Sequence, residues 1–131
     1  MEARRETLGD RHPDTLGSIN NLGLLLKAKG DLDGAEPLYR EALAARRETL
    51  GDRHPSTLDS IYSLGSLLQT QGRLGEAIPL FREELEGCAV RYGKGHDETQ
   101  SSARNLVRLL RGAGRRREAK AIKRAHGRWW W

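Results

Sequence analysis

Three histidines stand 42 residues apart, at His12, His54 and His96. Stacked loops would bring them side by side, and a ladder of imidazoles could hold a metal ion if two converged. Each, however, sits just before a helical stretch, where a short polar residue helps to start the helix. That role needs no metal, and none is expected. Cys88 is the only cysteine. It cannot form an internal disulfide, and with Leu85 and Ala89 nearby and no histidine close in sequence it reads as a helix-packing residue rather than a nucleophile. Glu83, Glu84 and Glu86 read as an exposed, mobile helix patch, unsuited to a general acid–base pair. Neither G-x-x-x-x-G-K-[ST] nor G-x-G-x-x-G occurs, so no phosphate cradle is expected. No catalytic constellation and no cofactor site emerges, which points away from an enzyme.

The remaining chemistry is recognition. Ser101, Arg104, Arg108 and Arg111 fall on one helical face. Guanidinium groups bind carboxylates through two parallel hydrogen bonds, and Asn21 and Asn105 add amides that can both donate to and accept from a peptide backbone. The whole chain has 131 residues and a net charge of +5. Residues 101–131 carry +9 and residues 1–100 carry −4, so an acidic body ends in a basic segment. That asymmetry suggests an anionic partner, against the plainer reading of a solvated end. The chain closes with Arg128, Trp129, Trp130 and Trp131. Basic charge beside aromatic rings could anchor in a partner's pocket or at an anionic membrane surface. The triplet could equally pack back on the last helices or be an artefact of cloning or annotation. Aromatics only at the tip argue against nucleic acid.

These residues are placed by a repeat. Ala3–Pro13 recurs unchanged as Ala45–Pro55, and the 42-residue register continues through Leu16/Leu58, Ile19/Ile61, Gly23/Gly65, Leu26/Leu68, Ala35/Ala77 and Leu43/Leu85. A third, eroded copy follows through Gly93, His96, Thr99, Leu106, Leu110 and Ala119. In each copy apolar residues recur every three to four positions in two segments, which predicts two helices per copy. Gly30 closes the first, Pro37 is expected in the first turn of the second, and Gly51 stops it. The third copy predicts helices over about 97–112 and 115–125. No segment alternates with a period of two, so no sheet is expected. With 37% apolar and 31% charged residues there is no membrane-length apolar run, and Met1–Arg5 does not lead into a signal-like segment. An intracellular, cytoplasmic protein is expected.

The register resembles the tetratricopeptide repeat, in the 42-residue version of kinesin light chains. The resemblance rests on Leu22, Gly23, Leu26, Ala35, Tyr39 and Ala42, on Leu64, Gly65, Leu68, Ala77, Phe81 and Glu84, and on the L-G-D-R-H-P-(D/S)-T linker. In copy three Gly23 becomes Val107, Tyr39 becomes Lys123 and Ala42 becomes His126, as an end repeat would. The resemblance implies an all-α, right-handed α-solenoid of antiparallel helix pairs. One array spans 1–126, with repeats at about 13–50, 55–92 and 97–126. Residues 1–9 form the end of a preceding helix, and 127–131 are a tail. It also implies a concave groove lined by the first helix of each pair, at Asn20, Asn21, Leu24 and Lys27, then Tyr62, Ser63 and Gln69, then Ser101, Arg104, Asn105, Arg108 and Arg111. The implied function is a protein-interaction scaffold holding an extended, acidic peptide segment of another protein. The alternative is a small structural subunit that docks into a larger assembly by its convex face or its tail.

Overall fold

The structure, a computed structural model, describes residues 13–126. The expected N-terminal helix end, His12 and the Arg128–Trp131 tail lie outside these residues. Six helices follow one another: α1 (Pro13–Ala28), α2 (Leu32–Leu50), α3 (Pro55–Thr70), α4 (Leu74–Tyr92), α5 (Asp97–Gly112) and α6 (Arg116–His126). Among the described residues there is no strand. Each helix packs on the next, so the pairs α1/α2, α3/α4 and α5/α6 stack in series as an α-solenoid of about three repeats.

The helix ends follow from a few residues. Gly30, Gly72 and Gly114 have φ of 87°, 77° and 77°. This left-handed turn lets the next residue's N–H reach back into the helix: Asp31 to the Leu26 carbonyl, Arg73 to that of Leu68 and Arg115 to that of Leu110, each at 2.8 Å. The histidines start helices as expected. His54 Nδ1 accepts the Ser56 N–H and His96 Nδ1 accepts the Glu98 N–H, both at 3.1 Å. Pro37 departs from expectation. Because α2 already begins at Leu32, Pro37 and its repeat mate Pro79 lie inside their helices. There the ring leaves a carbonyl one turn back without its usual partner.

Packing within each pair depends on one matched contact. A Cβ added at Gly23 would lie 2.7 Å from the Tyr39 ring, and one at Gly65 would lie 3.2 Å from the Phe81 ring. Each glycine lets the aromatic ring of the second helix press against the backbone of the first. Tyr39 and Phe81 are 1% and 3% exposed. In the third repeat both partners change together, to Val107 and Lys123. The pair then loses its ring, and the valine fills the crossing instead; Val107 is 4% exposed. Another third-repeat exchange puts Gln100 where Leu16 and Leu58 stand. Gln100 is buried, and its amide donates to the carbonyls of Lys94 and His126, tying α6 to the loop before α5.

An ionic ladder runs along the second helices. Arg40 faces Glu76 at 3.6 Å, and one repeat later Arg82 meets Glu118 at 2.7 Å. Arg47 binds Glu83 through both guanidinium nitrogens, and Arg73 bridges Glu36 and Glu76. Such partly exposed pairs contribute about 0–1 kcal/mol each, so they set register more than they stabilise the array.

Two substitutions test the crossing. Overpacking costs about 1–3 kcal/mol, against about 1 kcal/mol gained in helix propensity, so Gly23→Ala should lower stability by about 1 kcal/mol in denaturant melts and Gly65→Ala by less. The Tyr39 hydroxyl is buried with no hydrogen-bond partner. Tyr39→Phe, which restores the residue of the second repeat, should therefore raise the midpoint by up to about 1 kcal/mol equivalent.

Candidate peptide-binding groove

The first helices α1, α3 and α5 carry the residues expected to form the groove. A recess of about 400 Å³ opens between α3 and α5, lined by Tyr62, Gln69, Phe81, Asn105, Arg108 and Leu109. It is built from the crossing just described. Tyr62, three residues before Gly65, meets Phe81 edge-on, with ring centroids 5.9 Å apart and planes at 72°. Phe81 is thus both the packing plug of α4 and part of the recess. Arg108 is exposed and Asn105 half-buried, so a cation and an amide stand beside an aromatic and aliphatic surface.

The other expected residues do not line this recess. Ser63 is half-buried on α3. Arg104 is half-buried and lies 3.5 Å from the hydroxyl of exposed Ser101. Arg111 lies in a separate basic recess of about 310 Å³ with Arg116 and Lys120. The three arginines of one helical face are therefore distributed, with Arg108 alone at the aromatic recess. On α1, Asn21 and Leu24 are exposed, while the Asn20 side-chain oxygen is buried without a partner. Lys27 donates to Ser66 Oγ at 3.1 Å, across to α3. Sequence reasoning missed Phe81 and Leu109 because both carry core periodicity. The available signal was the Tyr62/Gly65 spacing, which leaves the Phe81 edge open beneath Tyr62.

The acidic patch of α4 also differs from expectation. Glu83 is held by Arg47 and Glu86 is exposed, but Glu84 is half-buried between α4 and α5. Ser102 Oγ donates to it at 3.0 Å. Burial pushes its carboxyl up to about 7; the Ser102 hydrogen bond opposes the shift, and the charges of Asp59 and Glu98 add to it. The position is Ala42 in the first repeat, where it is fully buried. Cys88, one turn further on, is 4% exposed, and burial pushes its thiol up to about 12, so it is a packing residue and not a nucleophile. Among the described residues no three His, Cys, Asp or Glu side chains gather to hold a metal ion, and no helix is long and apolar enough to cross a membrane.

Serially stacked helix pairs with a matched glycine–aromatic crossing define a helical-repeat scaffold. The family model of the tetratricopeptide repeat matches residues 1–48, 14–89 and 60–124. The chain belongs to the tetratricopeptide repeat family, and its structure is kinesin light chain-like. It superposes on a Podosopora anserina kinesin light chain protein with nearly identical TPR-like repeats at a TM-score of 0.86 and 27% identity, over 95% of this chain and 59% of that one. A variant of that protein gives a TM-score of 0.85 and 26% identity over 95% and 58% of the two chains. BtubC (BKLC) from P. vanneervenii shares the fold, with a TM-score of 0.79 and 19% identity over 92% and 48%. This chain thus spans about three-fifths or less of the structures it resembles. No curated relative matches the sequence.

The Glu84 carboxyl gives a pH test with a definite sign. Its folded value, about 7, lies above the ordinary 4.5. Between those values the unfolded chain releases the proton first, so this group's contribution falls as pH rises from 5 to 8. Glu84→Gln keeps the shape of the protonated acid. Wild type and variant should melt together near pH 5, and the variant should melt higher at pH 8. Equal differences at both pH values would mean that Glu84 is ionised throughout.

Proposed function

We propose that the protein is a non-catalytic interaction scaffold whose α1–α3–α5 surface binds an extended, acidic peptide segment of another protein. The observation that carries the reading is the α3–α5 recess, where Arg108 and Asn105 stand beside Tyr62, Phe81 and Leu109. An exposed guanidinium offers a carboxylate two hydrogen bonds, and the amide offers a peptide group a donor and an acceptor. The aromatic and aliphatic floor takes an apolar side chain beside the acid. Arg104 and Arg111, on the same helix, extend the positive surface along the segment's path. Lys27, tied to Ser66, and exposed Gln69 offer further donors towards α1.

The membership of the tetratricopeptide repeat family supports binding of another protein. Docking by the opposite, second-helix row gains less support, because Arg40, Arg47, Arg73 and Arg82 are there already engaged with Glu36, Glu76, Glu83 and Glu118. A cytoplasmic setting accords with the lone buried cysteine.

Fluorescence anisotropy with a labelled acidic peptide containing one aromatic residue tests the reading. Wild type should bind with an affinity that falls steeply as salt rises. The double substitution Arg104→Glu and Arg108→Glu should weaken binding by at least tenfold without changing the circular dichroism spectrum. Affinity unchanged by the charge reversal would rule the groove out.

A further inference from the structure

Phe81 of α4 and Asn105 of α5 line the α3–α5 recess. Glu84 follows Phe81 by three residues, and Ser102 precedes Asn105 by three. Residues three apart are neighbours on a helix face. The Glu84–Ser102 hydrogen bond, 3.0 Å long, therefore belongs to the same α4–α5 contact that shapes the recess, about one turn away on each helix.

One repeat earlier the equivalent contact is built differently. Ser60, in the Ser102 position, is held by Arg46, whose guanidinium donates to its hydroxyl at 2.8 Å. Ala42 stands in the Glu84 position, fully buried, and Arg46 stands in the Cys88 position. The pair Ala42 and Arg46 is thus exchanged for Glu84 and Cys88. A permanent cation holds the buried serine of α3, whereas a carboxyl that can gain or lose a proton holds the buried serine of α5. The groups around that carboxyl favour the neutral form. Asp59 of α3 and Glu98 of α5 both oppose its ionisation, and burial opposes it more strongly than either. Cys88 on the same helix is kept protonated by burial. Arg46 of α2 acts on Asp59 and is hydrogen-bonded to Ser56 and Ser60. An ionised Glu84 would place a charge in the α4–α5 interface and repel Glu98 on the facing helix.

We infer that Glu84 is a positioning residue for the recess: its protonated carboxyl holds α5 against α4 with Asn105 and Arg108 beside Phe81, and its ionisation loosens that contact, so the groove holds an acidic segment more tightly in mild acid than in mild alkali. The ligand rests on the groove reading above; the switch rests on the α4–α5 contact alone. By linkage, an acidic segment that prefers the protonated form takes up protons as it binds.

The first test needs no ligand. In isotopically labelled full-length protein titrated from pH 5.5 to 8.5, the Ser102, Asn105 and Leu109 amide resonances should move with one midpoint near 7. Glu84→Gln and Glu84→Ala, the latter restoring the residue of the first repeat, should each abolish that step. An imidazole titrates in the same range, and His96 caps α5. A step that survives both substitutions would belong to a histidine and overturn the inference, as would no step at all. The second test is anisotropy with a labelled aspartate-rich peptide, whose carboxylates stay ionised at both pH 6 and pH 8. The protonated fraction of Glu84 falls from about nine-tenths to about one-tenth between them, so wild type should bind at least threefold, and up to about tenfold, more weakly at pH 8. Glu84→Gln should remove the difference. Equal wild-type affinity at both pH values, or the same ratio in the variant, would overturn the inference. No binding at either pH, with the resonance step present and lost in the variants, would overturn the groove reading and uphold the positioning role.

Discussion

From α2 to α6 the apolar helix faces are buried mainly by the helices next to them in the series, and the spacing of 42 residues makes those neighbours equivalent from one repeat to the next. A single helix pair of this size cannot bury its own stripe. The close approach that makes burial complete depends on a small residue under an aromatic ring, Gly23 under Tyr39 and Gly65 under Phe81. The ring that closes one crossing also contributes to the surface of the next. Phe81 packs against Gly65 and presents its edge to Tyr62, where the α3–α5 recess begins. Fold and candidate site therefore share a contact, and changing the crossing would change the recess.

In the third repeat the same positions change character in concert. Lys123 and His126 replace the ring and the small residue, Arg116 replaces Leu32 and Leu74, and Lys120 stands where Glu36 and Ile78 stood. The face that in earlier repeats meets another helix becomes basic, with Arg116 and Lys120 exposed and Lys123 and His126 half-buried. Gln100, in a leucine position, turns its amide to the His126 carbonyl. The α1 side shows no such exchange: Leu22, Leu24, Leu25 and Leu26 keep the apolar pattern of a helix with neighbours on both sides.

Most of the architecture was legible in the sequence because it repeats. Eleven unchanged residues in register, Ala3–Pro13 and Ala45–Pro55, left little freedom in the period. Glycines at 30, 51, 72 and 93 marked helix ends, and the histidines at 54 and 96 marked starts; all did so through local backbone chemistry. Pro37 misled because proline is commonest in a first turn, whereas here Asp31 caps the helix six residues earlier by accepting the Gly34 N–H. The candidate site was less legible. Helical periodicity placed Arg104, Arg108 and Arg111 on one face, but a face spans several recesses. Which arginine meets which recess depends on the stagger between α3, α4 and α5. Glu84 was hidden for a related reason: it sits in an acidic run with Glu83 and Glu86, and it is the approach of α5, with Ser102 donating to its carboxylate, that encloses it.

Electrostatics separates the two surfaces of the scaffold. Along α2 and α4, Arg40, Arg47 and Arg82 find glutamates one repeat away, so that stretch is internally satisfied and offers little to a charged ligand. On the first-helix row the exposed groups differ from repeat to repeat, as Leu24, Ser66 and Arg108 do at one register position. Variation at a repeated position, where neighbouring positions are held constant by packing, means that packing does not dictate the residue there. An array of near-identical units can recognise an irregular partner only through such positions. In this chain that position runs from Leu24 on α1 through Ser66 on α3 to Arg108 on α5, so the first-helix surface has a direction, apolar at one end and cationic at the other.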